Sequence, residues 1–519
     1  MSSISAVVAQ VSDLQEGEMQ EVSVEKTKVL LARVEGKFFA TGANCTHYGA
    51  KLINGVLKGD RLVCPWHNAC FGVKSGEMLE PPGLDDLPAY KVEIKGDDVV
   101  VTVPENAPQQ CVPEMASYDA DADSRVFIIL GAGVAGINAA ETLRKAGFLG
   151  KVVMLTAEDE LPYDRTMLSK KYLQEKSDDN SLPLRSQQFY QEHDIEVLTN
   201  HRVKEVDATQ KQITFSDNST MNYDALLLAT GCKARKLDIP GFDLANVFTL
   251  HNHEDAQQIV AAAKKASQAV VIGSSFIGME VAASLRKQDL AVTVISPDAV
   301  PFASILGEEI GQIFRQVHEK NGVVFHKETK ATKFVGNSKV EEVILKDSTS
   351  LPADLVVVGV GVEPATSYLK GVELNEKDHS IPTNEYLQVK EGLYAAGDIA
   401  RFPYWQTEKP TRIEHWRLAA QHGRIAAYNM AGKEVKFKGI PFFWTGQYNL
   451  KLRYAGHATS WDEVIIEGNL EEQEFIAYYI KDQQVLAVAG CNQDQEIAAI
   501  TELMRQKTLN KEDLALEKV

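Results

Sequence analysis

Residues 1–104 contain short runs in which apolar and polar positions alternate. The runs include KVLLARVEGKFFAT, LINGVLKGDRLV and LPAYKVEIKGDDVVVTV, and Gly-containing turns such as EGK and KGD interrupt them. Alternation with a period of two is typical of strands that have one buried face and one exposed face. The pattern therefore predicts a small all-β domain built from antiparallel strands.

From residue 124 onward, apolar strands are followed by helices. In RVFIILGAGVAGINAAETLRKAG and AVVIGSSFIGMEVAASLRKQDLAVTVIS, a short apolar run meets a turn and then apolar positions at helical spacing. The stretches YDALLLATG, ADLVVVGVGVEP and GLYAAGDIA add further buried strands that run into Gly. These units predict two α/β Rossmann-like domains. The last segment alternates strands and ends in a charged helix, which predicts an α+β domain.

These patterns predict a multidomain chain. The stretch VPENAPQQCVPEMASYDADADS has three prolines, many polar residues and an acidic end, which is typical of a linker. The predicted limits are 1–104 for the all-β domain, 105–123 for the linker, 124–245 and 373–434 for the two parts of the first α/β domain, 246–372 for the second α/β domain, and 435–519 for the C-terminal domain.

The amino-acid composition restricts the kinds of partner that the protein is expected to bind. The 519 residues carry a net charge of -18, which argues against the basic face that nucleic acids or a membrane surface require. No run of 18 apolar residues appears, so no membrane span is predicted. The N-terminus has neither a signal-peptide nor a transit-peptide pattern, which favours a cytoplasmic protein. Six cysteines are too few for a disulfide framework and favour ligands or catalytic groups.

Two short motifs pair a cysteine with a histidine. CTHYGAKL holds Cys45 and His47, and CPWHNACF holds Cys64 and His67. Unrelated core cysteines and loop histidines are one interpretation. Structural zinc is another, although its usual spacing places two Cys together and two His together. The pattern C-x-H followed by C-x-x-H, with Pro65–Trp66 inside it, closely resembles Rieske ferredoxin domains. That resemblance implies a 2Fe-2S cluster in which the two thiolates hold one iron and the two imidazoles hold the other.

Departures from the Rieske pattern bear on the cluster. Ala50 and Trp66 stand where respiratory Rieske proteins have a further pair of cysteines, so their disulfide is absent. Ala69 stands where those proteins place a Ser hydroxyl near a bridging sulfur. Because hydrogen bonds to cluster sulfur stabilise the reduced form, fewer donors predict a potential near the low end of the Rieske range, about -150 mV.

The first α/β domain opens with a G-x-G-x-x-G motif. Gly131, Gly133 and Gly136 follow the strand and begin the helix, where they permit a tight turn, a close approach to pyrophosphate and close packing of helix on strand. Glu158 comes after the next strand, at a position suited to hold a ribose hydroxyl. A solvated loop charge is the alternative, since Asp159 and Glu160 adjoin it.

The second α/β domain keeps Gly273 and Gly278 but has Ser275 in place of the middle glycine. Ser296 stands where an acidic residue is expected after the next strand, and no Arg or Lys follows to bind a 2′-phosphate. NADH is therefore favoured over NADPH. Two dinucleotide folds in one chain indicate a flavin together with a nicotinamide cofactor.

The chain resembles the two-dinucleotide-binding-domain flavoproteins. In that family the aspartate of GLYAAGDIA, here Asp398, binds the ribityl chain of FAD. LPYDRTMLSKKY further resembles a signature of oxygenase-coupled ferredoxin reductases and apoptosis-inducing factors. By that resemblance, Arg165 contacts FAD, and Lys170 lies beside the flavin ring and pairs with Glu280, the two having a catalytic role. A surface lysine and a helix-face glutamate are the alternative.

The same resemblance implies further contacts with the cofactors. Trp444 is expected to form a wall on the flavin ring, with a core-packing role as the alternative, and His251 stands where relatives often have an Arg on the FAD. The other residues implied to contact cofactors are Gly361, Glu414, His415 and Trp416.

The order of domains resembles the Rieske-containing apoptosis-inducing factors. It implies an oxidoreductase that passes electrons from NADH through FAD to its own Rieske cluster and on to an unknown one-electron acceptor protein. A redox-sensing interaction protein and the reductase component of a separate Rieske oxygenase are alternatives. A linker of about 20 residues suggests that the Rieske domain swings between flavin and acceptor. A homodimer and a mitochondrial location are compatible with the resemblance.

Overall fold

The computed structural model describes residues 2–516. Residues 2–104 form a six-stranded sheet in the order β1-β10-β9-β4-β3-β2 and a four-stranded sheet in the order β5-β6-β7-β8. The strands are β1 Ser3–Gln10, β2 Met19–Val24, β3 Thr27–Val34, β4 Lys37–Gly42, β5 Val56–Lys58, β6 Arg61–Val63, β7 Cys70–Gly72, β8 Met78–Glu80, β9 Ala89–Lys95 and β10 Asp98–Pro104.

Strand β3 shows why this domain holds together. Its central residues, Val29 to Ala32, are all apolar because both faces of the strand are buried there. Leu30 and Ala32 face the core that contains the two cysteine loops, whereas Val29 and Leu31 face a second core on the other side of the sheet. Successive strand residues point to opposite faces, so one strand contributes to both cores.

Residues 125–250 build most of the first α/β domain. Its sheet has the order β13-β12-β11-β17-β31-β30, and its central pairs are parallel. The elements are β11 Val126–Leu130, α1 Val134–Lys145, β12 Lys151–Leu155, α2 Gln187–Glu192, β13 Ile195–Leu198, β14 Val203–Asp207, β15 Gln212–Phe215, β16 Thr220–Asn222, β17 Ala225–Leu228, β18 Cys232–Ala234 and β19 Val247–Thr249.

The second α/β domain contains β19 and most of residues 251–372, and its five-stranded parallel sheet has the order β19-β26-β20-β21-β22. The elements are α3 His253–Ala263, β20 Gln268–Ile272, α4 Phe276–Arg286, β21 Ala291–Ile295, α5 Ala303–Leu306, α6 Glu308–Lys320, β22 Val323–His326, β23 Ala331–Val335, β24 Glu342–Leu345, β25 Ser350–Pro352, β26 Leu355–Val358, β27 Val362–Pro364 and β28 Leu369–Lys370.

The chain then returns to the first α/β domain and ends in an antiparallel sheet. The returning elements are β29 Ile381–Pro382, β30 Gln388–Lys390, β31 Leu393–Ala395, β32 Ala400–Tyr404, β33 Lys409–Thr411 and α7 Trp416–Met430. The C-terminal sheet has the order β34-β35-β38-β37-β36. Its elements are β34 Phe442–Gln447, β35 Leu450–Gly456, β36 Glu463–Asn469, β37 Glu474–Lys481, β38 Gln484–Cys491, α8 Asp494–Gln506 and α9 Lys511–Leu516. Among residues 2–516, no helix combines the length and apolar character needed to cross a membrane.

The segment predicted as a flexible linker follows the protein surface. Cys111 and Asp86 exchange two backbone hydrogen bonds of 2.9 Å, which tie the segment to the all-β domain. The backbone N–H of Ala116 donates to the carbonyl oxygen of Arg144 at 3.0 Å, and Met115 packs on the core of the first α/β domain. The segment therefore joins the two domains as a fixed strap.

Buried charges also join the all-β domain to the rest of the chain. The carboxylate of Glu80 accepts hydrogen bonds from Arg61 at 2.7 Å and from Arg417 on α7 at 2.8 Å. Arg417 is 2% exposed and also donates to the carbonyl oxygen of Asn68 at 3.2 Å. Arg61 reaches Glu502 on α8 at 2.9 Å. These ion pairs hold the all-β domain against the reductase body in this structure. The swing of the domain between flavin and acceptor stays a prediction.

Candidate functional site

The two cysteine–histidine motifs form loops with the same backbone pattern. In the first loop, the N–H of Cys45 donates to the carbonyl oxygen of Ala50 at 2.8 Å. In the second, the N–H of Cys64 donates to the carbonyl oxygen of Ala69 at 2.8 Å. Each loop thus closes on an alanine five residues after its cysteine. The matched turns place the two thiols next to each other inside the domain.

Both thiols are buried, with Cys45 3% and Cys64 1% exposed. They hydrogen bond to each other, and each sulfur also accepts backbone N–H groups from residues two and three positions later. This mutual hydrogen bond raises the pKa of Cys45 and lowers the pKa of Cys64. Buried sulfur atoms surrounded by N–H donors are suited to binding iron as thiolates.

The two imidazoles face each other beside the thiols. Nδ1 of His47 lies 3.0 Å from Nδ1 of His67. Burial lowers the pKa of His47 to about 4, and burial together with His47 lowers the pKa of His67. Both rings are therefore neutral near pH 7 and offer a nitrogen lone pair to a metal.

The arrangement of the two thiols and the two imidazoles distinguishes a 2Fe-2S cluster from a structural zinc ion. No group of three or more His, Cys, Asp or Glu side chains within residues 2–516 converges on one metal position. A zinc ion in a structural site requires four ligands around one point. A Rieske cluster requires only two protein ligands on each iron, which the thiol pair and the imidazole pair provide. The four residues fit a 2Fe-2S cluster and do not fit structural zinc.

The histidine edge of these loops faces the reductase body. The ring of Trp444, on β34, lies 4.3 Å from the ring of His67 and 6.1 Å from that of His47. Tyr48 stacks on His47 at 3.9 Å, and its hydroxyl donates a hydrogen bond to Asp164 in the LPYDR segment. The sequence did not reveal this use of Tyr48, because its partner lies 116 residues away.

Trp444 also lines a cavity of 1160 Å³ between both α/β domains and the C-terminal sheet. A site of this size fits a large cofactor. The predicted site residues that line it are Gly131, Gly133, Glu158, Arg165, Lys170, Gly278, Glu280, Gly361, Asp398, Glu414, His415, Trp416 and Trp444. The structure thus brings most of the predicted flavin and nicotinamide residues together, and Trp444 contacts both the cavity and His67.

The glycines at the start of α1 shape one end of the cavity. Gly131 has a φ of +118°, and a Cβ there would lie 2.1 Å from the carbonyl oxygen of Ala229. A Cβ on Gly136 would lie 2.0 Å from the carbonyl oxygen of Gly131, so Gly136 packs behind the turn. Gly133 has open space where its side chain would be. The helix N-terminus is therefore exposed to the cavity, as binding of a pyrophosphate requires.

Glu158 and Arg165 form an ion pair at the cavity wall. The Tyr163 hydroxyl donates to Glu158 at 2.7 Å, and Arg165 donates to the carbonyl oxygen of His251 at 3.0 Å. Glu158 is thus held in place rather than free in a loop. Burial, together with the charge of Arg165, lowers the pKa of His251 to about 4, so this side chain is neutral where relatives were expected to have an arginine.

Polar and charged groups from the first α/β domain also line the cavity. Asp398 lies in a short helical turn after β31, and burial, with the nearby charge of Glu414, raises its pKa to about 7. Arg412 pairs with Glu414 at 2.6 Å. His415, which precedes Trp416 at the start of α7, has a buried Nδ1 with no hydrogen-bond partner within residues 2–516. Unpaired buried polar groups are rare, so these groups fit a polar cofactor.

Lys170 and Glu280 come together from different domains. Lys170 lies in the helical turn after LPYDR, and its Nζ lies 2.7 Å from Glu280 on α4. The other partners of Glu280 are the hydroxyls of Ser169 at 2.5 Å and Thr445 at 2.7 Å. Ser169 and Thr445 were not among the predicted site residues, because serine and threonine are common and their sequence context gives no signal of such a role. Glu280 is 3% exposed, so a surface position is excluded.

The geometry of the second dinucleotide turn shows why Ser275 can stand in place of the middle glycine. Gly273 has a φ of +102°, and a Cβ there would lie 2.4 Å from the carbonyl oxygen of Gly359. A Cβ on Gly278 would lie 2.4 Å from the carbonyl oxygen of Gly273. Ser275 caps α4, because its Oγ accepts the N–H of Gly278 at 3.3 Å and donates to Gly359 at 3.0 Å. The serine therefore stabilises the same strand–turn–helix geometry.

Three family profiles cover most of the chain. The pyridine nucleotide-disulphide oxidoreductase profile matches residues 125–423, the Rieske 2Fe-2S domain profile matches residues 5–91, and the reductase C-terminal profile matches residues 442–518. These matches confirm the predicted multidomain fold, the FAD, nicotinamide and 2Fe-2S cofactors, and an FAD-dependent NAD(P)H oxidoreductase.

Individual relatives agree with the profiles. Apoptosis-inducing factor 3 of Homo sapiens is 38% identical over 515 residues, which cover 96% of this chain and 84% of the relative. Rhodocoxin reductase of Rhodococcus erythropolis is 31% identical over 382 residues, which cover 73% of this chain and 89% of the relative. In a crystal structure of the covalent putidaredoxin reductase–putidaredoxin complex, one chain superposes with a TM-score of 0.70 at 29% identity, and the match covers 74% of this chain and 93% of that one. The protein therefore belongs to the pyridine nucleotide-disulphide oxidoreductases, carries a Rieske domain, and is similar along nearly its whole length to apoptosis-inducing factor 3.

Proposed function

We propose that this protein transfers electrons from NADH, through FAD in the large cavity, to a Rieske cluster held by Cys45, His47, Cys64 and His67, and from there to a separate one-electron acceptor protein. One observation carries the proposal. Trp444 lines the cavity and lies 4.3 Å from His67, so the cofactor cavity and the cluster loops share a wall. A Rieske domain docked in this way suits transfer inside one chain.

The roles of the chain's own residues follow from the geometry. When bound, FAD takes two electrons from NADH and gives them up singly, and a Rieske cluster carries one electron at a time. Arg165 and Asp398 would bind and orient the flavin. Lys170, held by Glu280 at 2.7 Å, would place a fixed positive charge beside the flavin ring. Trp444 would keep water out of the space between the cavity and the histidines.

The nicotinamide preference rests on the strand end after β21. The hydroxyl of Ser296 is buried and lies 2.7 Å from the hydroxyl of Ser274, and it also accepts the N–H of Asp298 at 3.1 Å. A 2′-phosphate carries negative charge and is usually bound by Arg or Lys. No Arg or Lys follows Ser296, which favours the uncharged ribose hydroxyl, so NADH is the proposed donor.

The acceptor is proposed to be a protein that takes one electron. In the covalent complex, a putidaredoxin reductase is joined to putidaredoxin. Here the Rieske domain is part of the same chain, so a second protein would receive electrons from the cluster rather than from the flavin. A redox-sensing role in which NADH changes binding to a partner is the second candidate, favoured by the likeness to an apoptosis-inducing factor.

The test is an anaerobic absorption and EPR spectrum taken before and after NADH is added. We expect the flavin band to bleach and the rhombic signal of a reduced Rieske cluster to appear. Cys64→Ser should retain flavin bleaching but lose the EPR signal and the reduction of cytochrome c. Cys111→Ser is the matched control, since Cys111 lies in the strap and its thiol is not in the cluster loops. Bleaching without an EPR signal in protein that contains iron and sulfide would reject the electron route in favour of the sensor.

A further inference from the structure

Arg453 on β35 lies directly opposite Trp444 on β34. Residues opposite each other in an antiparallel pair project from the same face of the sheet. The ring of Trp444 on that face lies 4.3 Å from the ring of His67. The C-terminal sheet therefore presents one tryptophan and one arginine to the loop that contains Cys64 and His67.

The charge of Arg453 is buried and weakly compensated. Its side chain is 6% exposed, and its charged partner Asp494 lies 3.4 Å away. The Nε of Arg453 has no hydrogen-bond partner within the described residues, and the same holds for one carboxylate oxygen of Asp494. A buried arginine normally has close, short hydrogen bonds to a carboxylate. Because the charge of Arg453 is compensated so weakly, we expect a further negatively charged group near it.

The positive charge of Arg453 lies close to the predicted cluster ligands. Arg453 stands opposite Trp444 on the same face of the sheet, and the ring of Trp444 lies 4.3 Å from the ring of His67. Since a guanidinium stays protonated in proteins, Arg453 is a permanent cation at this place.

We propose that Arg453 raises the reduction potential of the Rieske cluster while that domain is docked. The inference rests on the proposed cluster ligands. Reduction adds one electron to the cluster, breaks no bond and moves no proton to Arg453, so a fixed cation stabilises the reduced form more than the oxidised form. Arg453 is a positioning residue in this sense, because it acts on the cluster without binding it.

Because Arg453 lies outside the Rieske domain, its effect on the reduction potential depends on the docking of that domain. Ala69 removes a hydroxyl that would raise the potential from inside the Rieske domain. Arg453 belongs to the C-terminal domain, so its contribution exists only where that domain covers the histidine edge. Docking thereby makes the cluster a better acceptor for electrons from the flavin than the Rieske domain alone would be.

The experiment is a redox titration of the full-length holoprotein, followed by the EPR signal of the reduced cluster. Arg453→Gln should favour the oxidised cluster by at least tenfold, which for one electron is a shift of about 59 mV to more negative potential. Arg453→Lys should restore most of the potential, because it keeps the charge. Asp494→Asn should shift the potential in the opposite direction, because it removes the compensating charge. The shifts should persist at high salt, since buried charges are screened little.

Arg315→Gln is the matched control. Arg315 is also largely buried, and its partners Ala299 and Glu319 both lie in the second α/β domain. An unchanged potential in Arg453→Gln, or equal shifts in Arg453→Gln and Arg315→Gln, would overturn the inference. A shift that Arg453→Lys does not restore would also overturn it, because shape and not charge would then be responsible. Absence of any Rieske signal in the unmodified protein would instead reject the proposed function.

Discussion

We predict that Glu80, which joins the Rieske domain to the reductase body, stabilises the docked domain through its charge. Glu80 lies at the end of β8 and accepts hydrogen bonds from Arg61 at 2.7 Å, Arg417 at 2.8 Å and Gln421 at 2.7 Å. Glu80→Gln keeps the shape of the side chain but removes its charge. Arg61 retains Glu502 as an anionic partner at 2.9 Å, whereas Arg417 pairs with Glu80 alone among the described carboxylates.

The magnitude follows from the pKa of Glu80. Burial alone would raise it, but Arg417 and Arg61 outweigh burial and lower the pKa from 4.5 to about 2. A difference of this size corresponds to about 3 kcal/mol of stability at neutral pH. Removal of one partner from a buried ion pair costs a similar amount, about 3–5 kcal/mol. Because the lowered pKa belongs to the folded state, the stabilisation is present above about pH 4.5 and is lost as the pH falls towards 2.

The assay is urea unfolding at pH 7, followed by cluster absorbance for the Rieske domain and by flavin fluorescence for the first α/β domain. We expect Glu80→Gln to lower the free energy of the transition that releases the cluster by about 3 kcal/mol. The difference from the unmodified protein should persist down to about pH 4.5 and narrow only below it.

Glu35→Gln is the matched control, because Glu35 lies in the same domain and forms an exposed ion pair with Lys74. Exposed pairs contribute little, so this variant should unfold like the unmodified protein. If Glu80→Gln and Glu35→Gln unfolded alike at pH 7, the buried ion pair would not be what stabilises the docked domain, and the argument from Glu80 would be refuted.

Three further predictions concern the cofactor domains. Glu280→Gln should slow flavin bleaching by NADH at least tenfold in stopped flow, about 1.4 kcal/mol in the barrier, because Lys170 loses its counter-charge; an unchanged rate would contradict a role for the pair. Gly136→Ala should yield protein with little bound flavin, since its Cβ would lie 2.0 Å from a backbone oxygen; a normal flavin-to-protein ratio would argue against the turn geometry. Burial lowers the pKa of His422 to about 3. Below about pH 6.5, His422 therefore binds a proton in the unfolded chain but not in the folded chain. The free energy of unfolding falls by about 1.4 kcal/mol for each pH unit by which the pH is lowered. His422→Phe should weaken this dependence in urea unfolding curves measured from pH 7 to 5, and an identical dependence would contradict it.

Several local features of this structure could be predicted from short patterns in the amino-acid sequence. The glycines from Gly131 to Gly136 and the turns of the two Cys–His loops involve residues close together in sequence, so their spacing predicts the local structure. At β3, by contrast, the predicted alternation of buried and exposed positions is wrong, because Val29 to Ala32 are all buried. The loops of Cys45 and Cys64 have matched turns, because in each the backbone N–H of the cysteine donates to the carbonyl oxygen five residues later. The domain limits and the individual ligand assignments stay predictions.

Other features depended on groups that lie far apart in the chain. The sequence suggested a flexible tether at 105–123, but hydrogen bonds to Asp86 and Arg144 hold that segment as a strap. Trp444 was expected on the flavin ring alone, whereas the structure also places it against His67. Both differences arise from how the domains pack.

The sequence by itself determined the dinucleotide turns, which follow from short-range spacing and backbone sterics. Its resemblance to Rieske domains and flavoprotein reductases indicated the order of domains and the four candidate cluster ligands. Only the tertiary structure decided where the Rieske domain sits and which charges hold it. Arg417 and Glu80 are 337 residues apart, and Arg61 and Glu502 are 441 apart. Such pairs form because packing buries them together, and no local pattern in a single sequence records which distant partner a buried charge will meet.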